Sequence, residues 1–478
     1  MPKWIFVTGG VLSGLGKGLI SASISKLLQE RGQKIVPLKC DGYLNVDPGT
    51  MNPHEHGEVF VLDDGTEVDM DFGHYERFLG IEGEGDWNLT SGKIFQKVID
   101  KEREGDYLGK TVQMVPHVTD EIKASWKKSV QEKNADIVAV EIGGTVGDIE
   151  NMLYLEAVRQ LRNELPEEDT FHIHATIVPF LETTGEQKTK PTQHSVKELR
   201  ETGLAPDMLV GRSEEELDEE TVEKISLFCD VPEEAVISDP NIQQVYELPL
   251  LFDEQNADEI VADKLGLPER DNGMKDWRKR VQNLKKEPVA KIAICGKYTD
   301  MDDSYVSVEA ALEHAAAENG GGIEIEQIGT ENFNPEQELE DFDGVIIPGG
   351  FGKRGVEGKI ETARYCRENN LPILGLCYGL QLMTIEYAKN VLGLDATSAE
   401  FAEDEEHLVI DEMPEQKDLE EMGGTMRLGS YTAKVEGQVK EIYGKDEVAE
   451  RHRHRYEVNN NYIEQLQDKG LKISGKNK

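Results

Sequence analysis

Short apolar runs bounded by glycine-rich turns alternate with helix-period segments along the first half of this chain. Residues 5–7 read as a buried strand, a Gly-rich turn follows, and an amphipathic helix spans about 19–30 before a second strand at 34–38. The chain therefore opens as a β-loop-α-β unit. Runs at 136–142 and 172–178 predict further buried strands with helix patterns between them. Such alternation predicts an α/β fold with a mainly parallel sheet. Near Pro268 the pattern breaks, and 276–286 is a basic, polar helical stretch (Trp277, Arg278, Lys279, Arg280, Lys285, Lys286) that reads as an interdomain linker. A second α/β series begins at 290–295 and continues through 344–347 and the buried-strand run 371–376; from Gly423 the pattern is less regular. The expected organisation is a first domain over 1–268, a linker over 269–288 and a second α/β domain over 289–478.

A chain of 478 residues suits two or three domains with sizeable cores. Lys plus Arg number 52 against 94 Asp plus Glu, a formal net charge of −42 spread along the chain. The excess reads either as a partner-binding acidic surface or as a solvated surface suited to high salt, where self-repulsion is screened, and either way it argues against general nucleic-acid binding. The five cysteines (Cys40, Cys229, Cys295, Cys366, Cys377) have no paired spacing, which argues against a disulfide framework and for a reducing compartment. With no signal-peptide pattern and no run of about 18 apolar residues, a cytoplasmic protein without a membrane partner is expected.

Three segments carry chemistry. Thr8-Gly9-Gly10-Val11-Leu12-Ser13-Gly14-Leu15-Gly16-Lys17-Gly18 joins the first strand to the first helix; its N–H groups can cradle phosphates while Lys17 adds a point charge. It departs from the common P-loop in two ways, with five residues rather than four between Gly10 and Gly16 and with Gly18 replacing the Ser/Thr that would ligate Mg²⁺, and a glycine-rich structural turn is the alternative. Carboxylates must then come from elsewhere, and Asp69, Asp71 and Glu141 are available, the last closing an apolar strand where ligands bind in open α/β sheets. Residue pattern does not rank Asp69 against Asp71. The loop Lys188-Thr189-Lys190-Pro191-Thr192-Gln193-His194 reads either as an anionic-substrate site or as an exposed basic loop. Finally, Gly375-Leu376-Cys377-Tyr378-Gly379 follows a strand and opens a helix pattern, as a nucleophile turn does; the helix N-terminus is expected to lower the thiol's pKa. Upstream, Pro348-Gly349-Gly350-Phe351-Gly352 offers backbone donors for an oxyanion. His54, His56 and His74 read as loop or packing groups rather than metal ligands, and Cys40, Cys229, Cys295 and Cys366 as packing residues.

Together these segments resemble the CTP synthase family over nearly the whole chain. Asn45-Val46-Asp47-Pro48-Gly49-Thr50-Met51, Gly73-His74-Tyr75-Glu76-Arg77-Phe78, Glu141-Ile142-Gly143-Gly144-Thr145-Val146-Gly147-Asp148-Ile149-Glu150 and the run 188–198 are similar to its signature stretches. The resemblance implies an ATP-dependent synthetase domain over 1–268, with a P-loop-type parallel sheet, and a class I glutamine amidotransferase domain over 289–478. It places ATP at Gly14, Leu15, Gly16, Lys17, Gly18, Leu19, Asp71 and Ile242, and Mg²⁺ at Asp71 and Glu141. UTP, or CTP as feedback inhibitor, falls at Ser13, Asp148, Ile149, Glu150, Lys188, Thr189, Lys190, Pro191, Thr192, Gln193 and Lys224. Lys17 and Lys39 would serve phosphoryl transfer to the uracil O4, with ammonia then displacing phosphate. Cys377 would attack glutamine, held by Gly350, Tyr378, Gly379, Leu380, Gln381, Glu400 and Arg455, the last in Arg451-His452-Arg453-His454-Arg455-Tyr456. Arg427, in Gly423-Gly424-Thr425-Met426-Arg427-Leu428-Gly429, matches the segment linked to GTP activation. A homotetramer is implied as well.

One feature of the family is expected to be missing: its His-Pro-Glu stretch lies beyond Lys478, so the resemblance implies an amidotransferase domain incomplete at its C-terminus. Glutamine use should then be impaired and ammonia preferred, with His452 and His454 not expected to substitute. Another ATP-dependent amidoligase, such as those of cobalamin or biotin synthesis, and a weakly catalytic subunit acting within an assembly are the competing readings.

Overall fold

The computed structural model describes residues 2–49, 51, 57–268, 273–297, 304–331, 333–402, 407–413, 416 and 425–477. The chain forms two compact units, Met1–Asp47 with Asp71–Arg278, and Pro48–Met70 with Lys279–Lys478.

In the first unit a seven-stranded sheet runs in the order Val236–Asp239, Met208–Arg212, Thr170–Ile177, Lys3–Gly9, Ile137–Ile142, Ile35–Asp41, Asn88–Thr90. Every pairing is parallel. Its central strands are buried along nearly their whole length because helices cover both faces; Phe6, Val7, Val138 and Ile173 are fully buried. The expected helix is Lys17–Glu30, which packs Ile20, Ile24, Leu27 and Leu28 into the core. Register matters most at one rung: Glu141 lies opposite Val7 on one side and Lys39 on the other. The stretch read as a linker forms the helix Lys275–Leu284. Trp277 anchors its start: the indole N–H donates to the Tyr246 carbonyl at 2.8 Å, and the ring packs on Phe78.

The second unit holds a four-stranded parallel sheet ordered Gly322–Gly329, Pro288–Gly296, Gly344–Ile347, Ile373–Gly375. The run 371–376, expected to be buried, contributes the edge strand, so Leu374 is 53% exposed. A core of Tyr378, Leu382, Ile385, Val409, Ile410 and Leu466 lies behind the nucleophile turn. The C-terminal stretch is more regular than its pattern predicts. Arg427–Val435 pairs antiparallel with Glu447–His454 and with Gly475–Asn477, but these strands are polar and partly exposed, so apolar alternation does not mark them. Pro48–Met70, placed by sequence position in the first domain, clusters here. Arg453 pairs with the buried Glu67 at 2.7 Å and donates to the Gly49 carbonyl at 3.2 Å, and Arg451 pairs with Asp63.

Candidate active sites

In the first unit the glycine loop ends at Gly16, whose φ of 77° precedes the helix Lys17–Glu30. The Lys17 ammonium turns back to donate to the Gly144 carbonyl at 3.0 Å; burial, with Lys39 nearby, holds its pKa below the ordinary lysine range. Lys39, buried near the end of its strand, donates to Glu141 Oε1 at 2.9 Å and to Asp71 Oδ2. The second oxygen of Glu141 accepts from the Tyr75 hydroxyl, and Asp41 Oδ1 stands 3.8 Å from the same ammonium. Of the two unranked carboxylates, Asp71 is the one that meets Lys39, from the first turn of the helix Asp71–Leu79. It can do so because residue 18 is glycine: a Cβ there would run into Asp71 Oδ1 and stand 2.7 Å from its Cγ.

The charges of this cluster pull against its burial. Burial pushes Glu141 up, opposed chiefly by Lys39. For Asp71 burial also pushes up, but Lys39 and His74 together hold the group below the ordinary carboxylate range. Asp41 is raised by burial to about 6.

The residues assigned to the pyrimidine nucleotide sit on loops and a helix that follow adjacent strands. Asp148, Ile149 and Glu150 are exposed beyond Ile137–Ile142, with Asp148 accepting from the Thr145 N–H at 3.2 Å. Beyond Thr170–Ile177, Thr189 and Gln193 are joined at 3.0 Å and Lys190 reaches Gln193 at 2.9 Å. Pro191 lies in the first turn of the helix Lys190–Glu201, where it costs no hydrogen bond. Thr192 is buried and donates to the Ile177 carbonyl at 3.2 Å. Lys188 pairs with Glu186 at 2.8 Å and Lys224 with Glu220. Ser13 and Gly14 are exposed on the glycine loop, Leu15 is buried beneath it, Leu19 is half-buried, and Ile242 is half-buried after the last strand of the sheet.

In the second unit Cys377 has φ 51° and ψ −103°, between the strand Ile373–Gly375 and the helix Tyr378–Asn390. This is the strained conformation of a nucleophile turn. Gly379 is required by close approach, because a Cβ would strike the Ile347 carbonyl. The thiol faces the Arg453 carbonyl at 3.6 Å. The expected lowering of its pKa is not what the surroundings produce. Although Cys377 reaches the surface, loss of hydration around the sulfur raises the pKa, against the opposing pull of the Tyr378 N–H and Arg453.

The glycine turn lies alongside: a Cβ on Gly349 would be 3.9 Å from that of Cys377. Glu400 braces the turn by accepting from the Gly352 N–H at 2.6 Å, and the Tyr378 hydroxyl donates to the Gly352 carbonyl at 2.5 Å. Gln381 donates to the Tyr456 carbonyl at 3.0 Å, while its buried Oε1 has no partner among the described residues. Leu380 is exposed, and Arg455 donates to Thr425 at 3.0 Å. Arg427 pairs with Glu457 at 3.4 Å and lies over the Tyr431 ring. His452 and His454 bond to each other at 2.9 Å, and His454 to the Tyr456 carbonyl.

Residues 3–267 match the family described as CTP synthase N-terminus, and residues 300–478 the class-I glutamine amidotransferase family. A CTP synthase of Archaeoglobus fulgidus is 54% identical over 477 residues, covering 99% of this chain and 89% of that one. The chain belongs to the CTP synthase family. The CTP synthase of Pyrococcus abyssi is 52% identical over 481 residues (99% and 89% covered), and that of Haloarcula hispanica 51% over 484 (99% and 86%). Among solved structures, the glutaminase domain of Trypanosoma brucei CTPS with bound acivicin is 37% identical, spans 39% of this chain and 75% of that one, and superposes with a TM-score of 0.36.

A CTP synthase is a ligase that converts UTP to CTP, with ATP and glutamine as substrates. Sequence reasoning did not assign Asp41, Tyr75 or Arg453 to the sites. Asp41 carried a signal, two charged residues spaced two apart in an otherwise apolar strand; Tyr75 lay inside a quoted signature stretch. Arg453 enters through its backbone carbonyl, which has no signal in side-chain pattern. His54 and His56 lie outside the described residues, and His74 is buried, which drives its imidazole down to about 4. Cys40, Cys229, Cys295 and Cys366 are buried and free. Among the described residues no helix is long and apolar enough to cross a membrane, and no three metal-binding side chains are grouped to hold an ion.

Proposed function

We propose that this chain aminates UTP through a 4-phosphorylated intermediate. The uracil O4 attacks the γ-phosphorus of ATP, the bond to the bridging oxygen breaks, and ADP leaves. The N3 proton is lost as the O4–P bond forms; ammonia then adds at C4 and sheds one proton, and the C4–O4 bond breaks as O4 departs with phosphate. The observation that carries this reading is Lys39 bridging Asp71 and Glu141 beside the glycine loop and Lys17. The buried Glu141 and half-buried Asp71 carboxylates are hard oxygen donors, and Mg²⁺ is commonly held by one or two carboxylates with phosphate oxygens completing its shell. Asp71 and Glu141 would hold the ion, which when bound neutralises charge on the transferring phosphate.

In that site Lys17 and Lys39 meet the remaining phosphate charge, and Tyr75 fixes the orientation of Glu141. Gly14 to Leu19 and Ile242 take ATP. Ser13, the loop 148–150, the segment 188–193 and Lys224 take UTP, with CTP inhibiting at the same place. Arg427 is the proposed GTP contact, the oligomer is a homotetramer, and the acidic surface suits concentrated salt.

Glutamine is proposed to serve poorly as the nitrogen source. The Cys377 thiol donates to a carbonyl, and loss of hydration around its sulfur raises its pKa; both features favour the neutral thiol over the nucleophilic thiolate. UTP labelled with ¹⁸O at O4 tests the phosphorylated intermediate: the label should emerge in inorganic phosphate. Label released in water, with unlabelled phosphate, contradicts it.

A further inference from the structure

Lys359 lies on the helix Val356–Asn369 and is fully buried, yet its ammonium has no hydrogen-bond partner among the described residues. A buried, unpaired cation is unfavourable, so its surroundings matter. The Nζ stands 5.4 Å from the centre of the Tyr378 ring and would be 3.8 Å from a Cβ on Gly350. Tyr378 Cδ1 is 3.5 Å from the same Gly350 position. One lysine thus underlies both Gly350 and Tyr378, whose backbone N–H groups the family resemblance implies as the oxyanion donors. The ionisable groups acting on it are Cys295 on the strand Pro288–Gly296, with Lys297 and Arg354 from the loops, and Tyr378 on the facing helix; the two cations add to its potential rather than cancel it. Burial first, then Lys297, lowers its pKa to about 8.

We propose that Lys359 is a positioning residue for acyl transfer at Cys377, supplying positive potential beneath the Gly350–Tyr378 oxyanion site. The inference rests on the reading of Cys377 as the glutamine nucleophile. As the Sγ–C bond forms, the carbonyl π pair moves onto oxygen, and the ammonium beneath the Gly350–Tyr378 site attracts that charge through space. The pair returns when the C–N bond breaks, and the thiol proton leaves on the departing ammonia. Charge aimed at a developing oxyanion in a water-poor site is effective catalytically.

The test measures modification of Cys377 by a chloromethyl ketone analogue of glutamine, whose addition passes through an oxyanion, and by iodoacetamide, whose reaction does not. Wild type, K359M and K359R are compared as full chains at pH 6.5 and 9.5. At pH 6.5 the ketone should react roughly tenfold or more slowly with K359M than with wild type, and K359R should retain most of the rate. Iodoacetamide should not distinguish the three. At pH 9.5, where Lys359 has lost its proton, the wild-type advantage over K359M should largely vanish while that of K359R persists. Equal slowing by both reagents, an unchanged ketone rate in K359M, or an advantage that survives pH 9.5 overturns the proposal. If the ketone labels wild type no faster than one lacking the glutamine side chain, and glutamine does not protect, the glutamine-site reading itself fails and the proposal with it. A thermal melt of K359M keeps misfolding separate from loss of rate.

Discussion

Asp71 occupies the space that a side chain at residue 18 would need: a Cβ on Gly18 meets its carboxylate. The glycine in place of the usual P-loop hydroxyl is therefore matched by a carboxylate from another helix, and Lys39 ties that carboxylate to Glu141. Restoring the hydroxyl should not restore a site. G18S is expected to displace Asp71 and to lower ammonia-dependent CTP formation by roughly a hundredfold or more, the scale of losing one charged stabiliser of a transition state. Steady-state rates with saturating ATP check this; near-wild-type turnover in G18S contradicts it.

Much of the first unit was legible because its strands are buried on both faces and read as continuous apolar runs. The nucleophile turn was legible for a different reason, since Gly375 and Gly379 are demanded by close backbone approach. Three things were not. Leu374 lies in an apolar run but belongs to an edge strand, and pattern does not report which side of a strand is paired. The polar strands Arg427–Val435 and Glu447–His454 lack alternation altogether. The membership of Pro48–Met70 in the second unit depends on ion pairs to residues almost four hundred positions away, beyond the reach of local reading.

Those pairs carry a second prediction. Glu67 is buried and its charge is met by Arg453. Removing the arginine leaves the carboxylate uncompensated, at about 2–4 kcal/mol. R453A should therefore lower the denaturant midpoint of the second unit, with faster amide exchange on the described part of 48–70. E67Q/R453A should recover part of the loss, because neither charge is then stranded. Exchange unchanged in R453A counts against the pairing.

Tyr378 makes a narrower case. Its hydroxyl donates to the Gly352 carbonyl at 2.5 Å, so Y378F should destabilise the second unit by about 1 kcal/mol and slow ketone labelling of Cys377 as the glycine turn loosens. Urea unfolding of wild type and Y378F gives the first number, and intact-mass kinetics the second. A Y378F chain as stable as wild type would mean the bond contributes nothing net.

Lys359 should reveal itself in stability with the opposite sign. Its folded pKa of about 8 lies below the ordinary 10.5, so between those values the unfolded chain holds a proton that the folded chain has released. Stability then rises with pH across that window, and the charge is most unfavourable below pH 8. K359M should be more stable than wild type at pH 7, by up to about 3 kcal/mol, with the difference gone near pH 10.5. Melts across that range decide it; a destabilised K359M at pH 7 would show that favourable contacts hold the Lys359 side chain in place.

The most direct test of the account is CTP formation from UTP, ATP and Mg²⁺ in concentrated KCl, with ammonia or glutamine supplied in parallel. Turnover with ammonia, and little with glutamine, is the expected result. It would join a working phosphoryl-transfer site at Lys39, Asp71 and Glu141 to a thiol held in its neutral form. Equal turnover from glutamine would contradict the proposal that Cys377 is held as a neutral, poorly nucleophilic thiol, and no CTP from either source would contradict the reading of the whole chain.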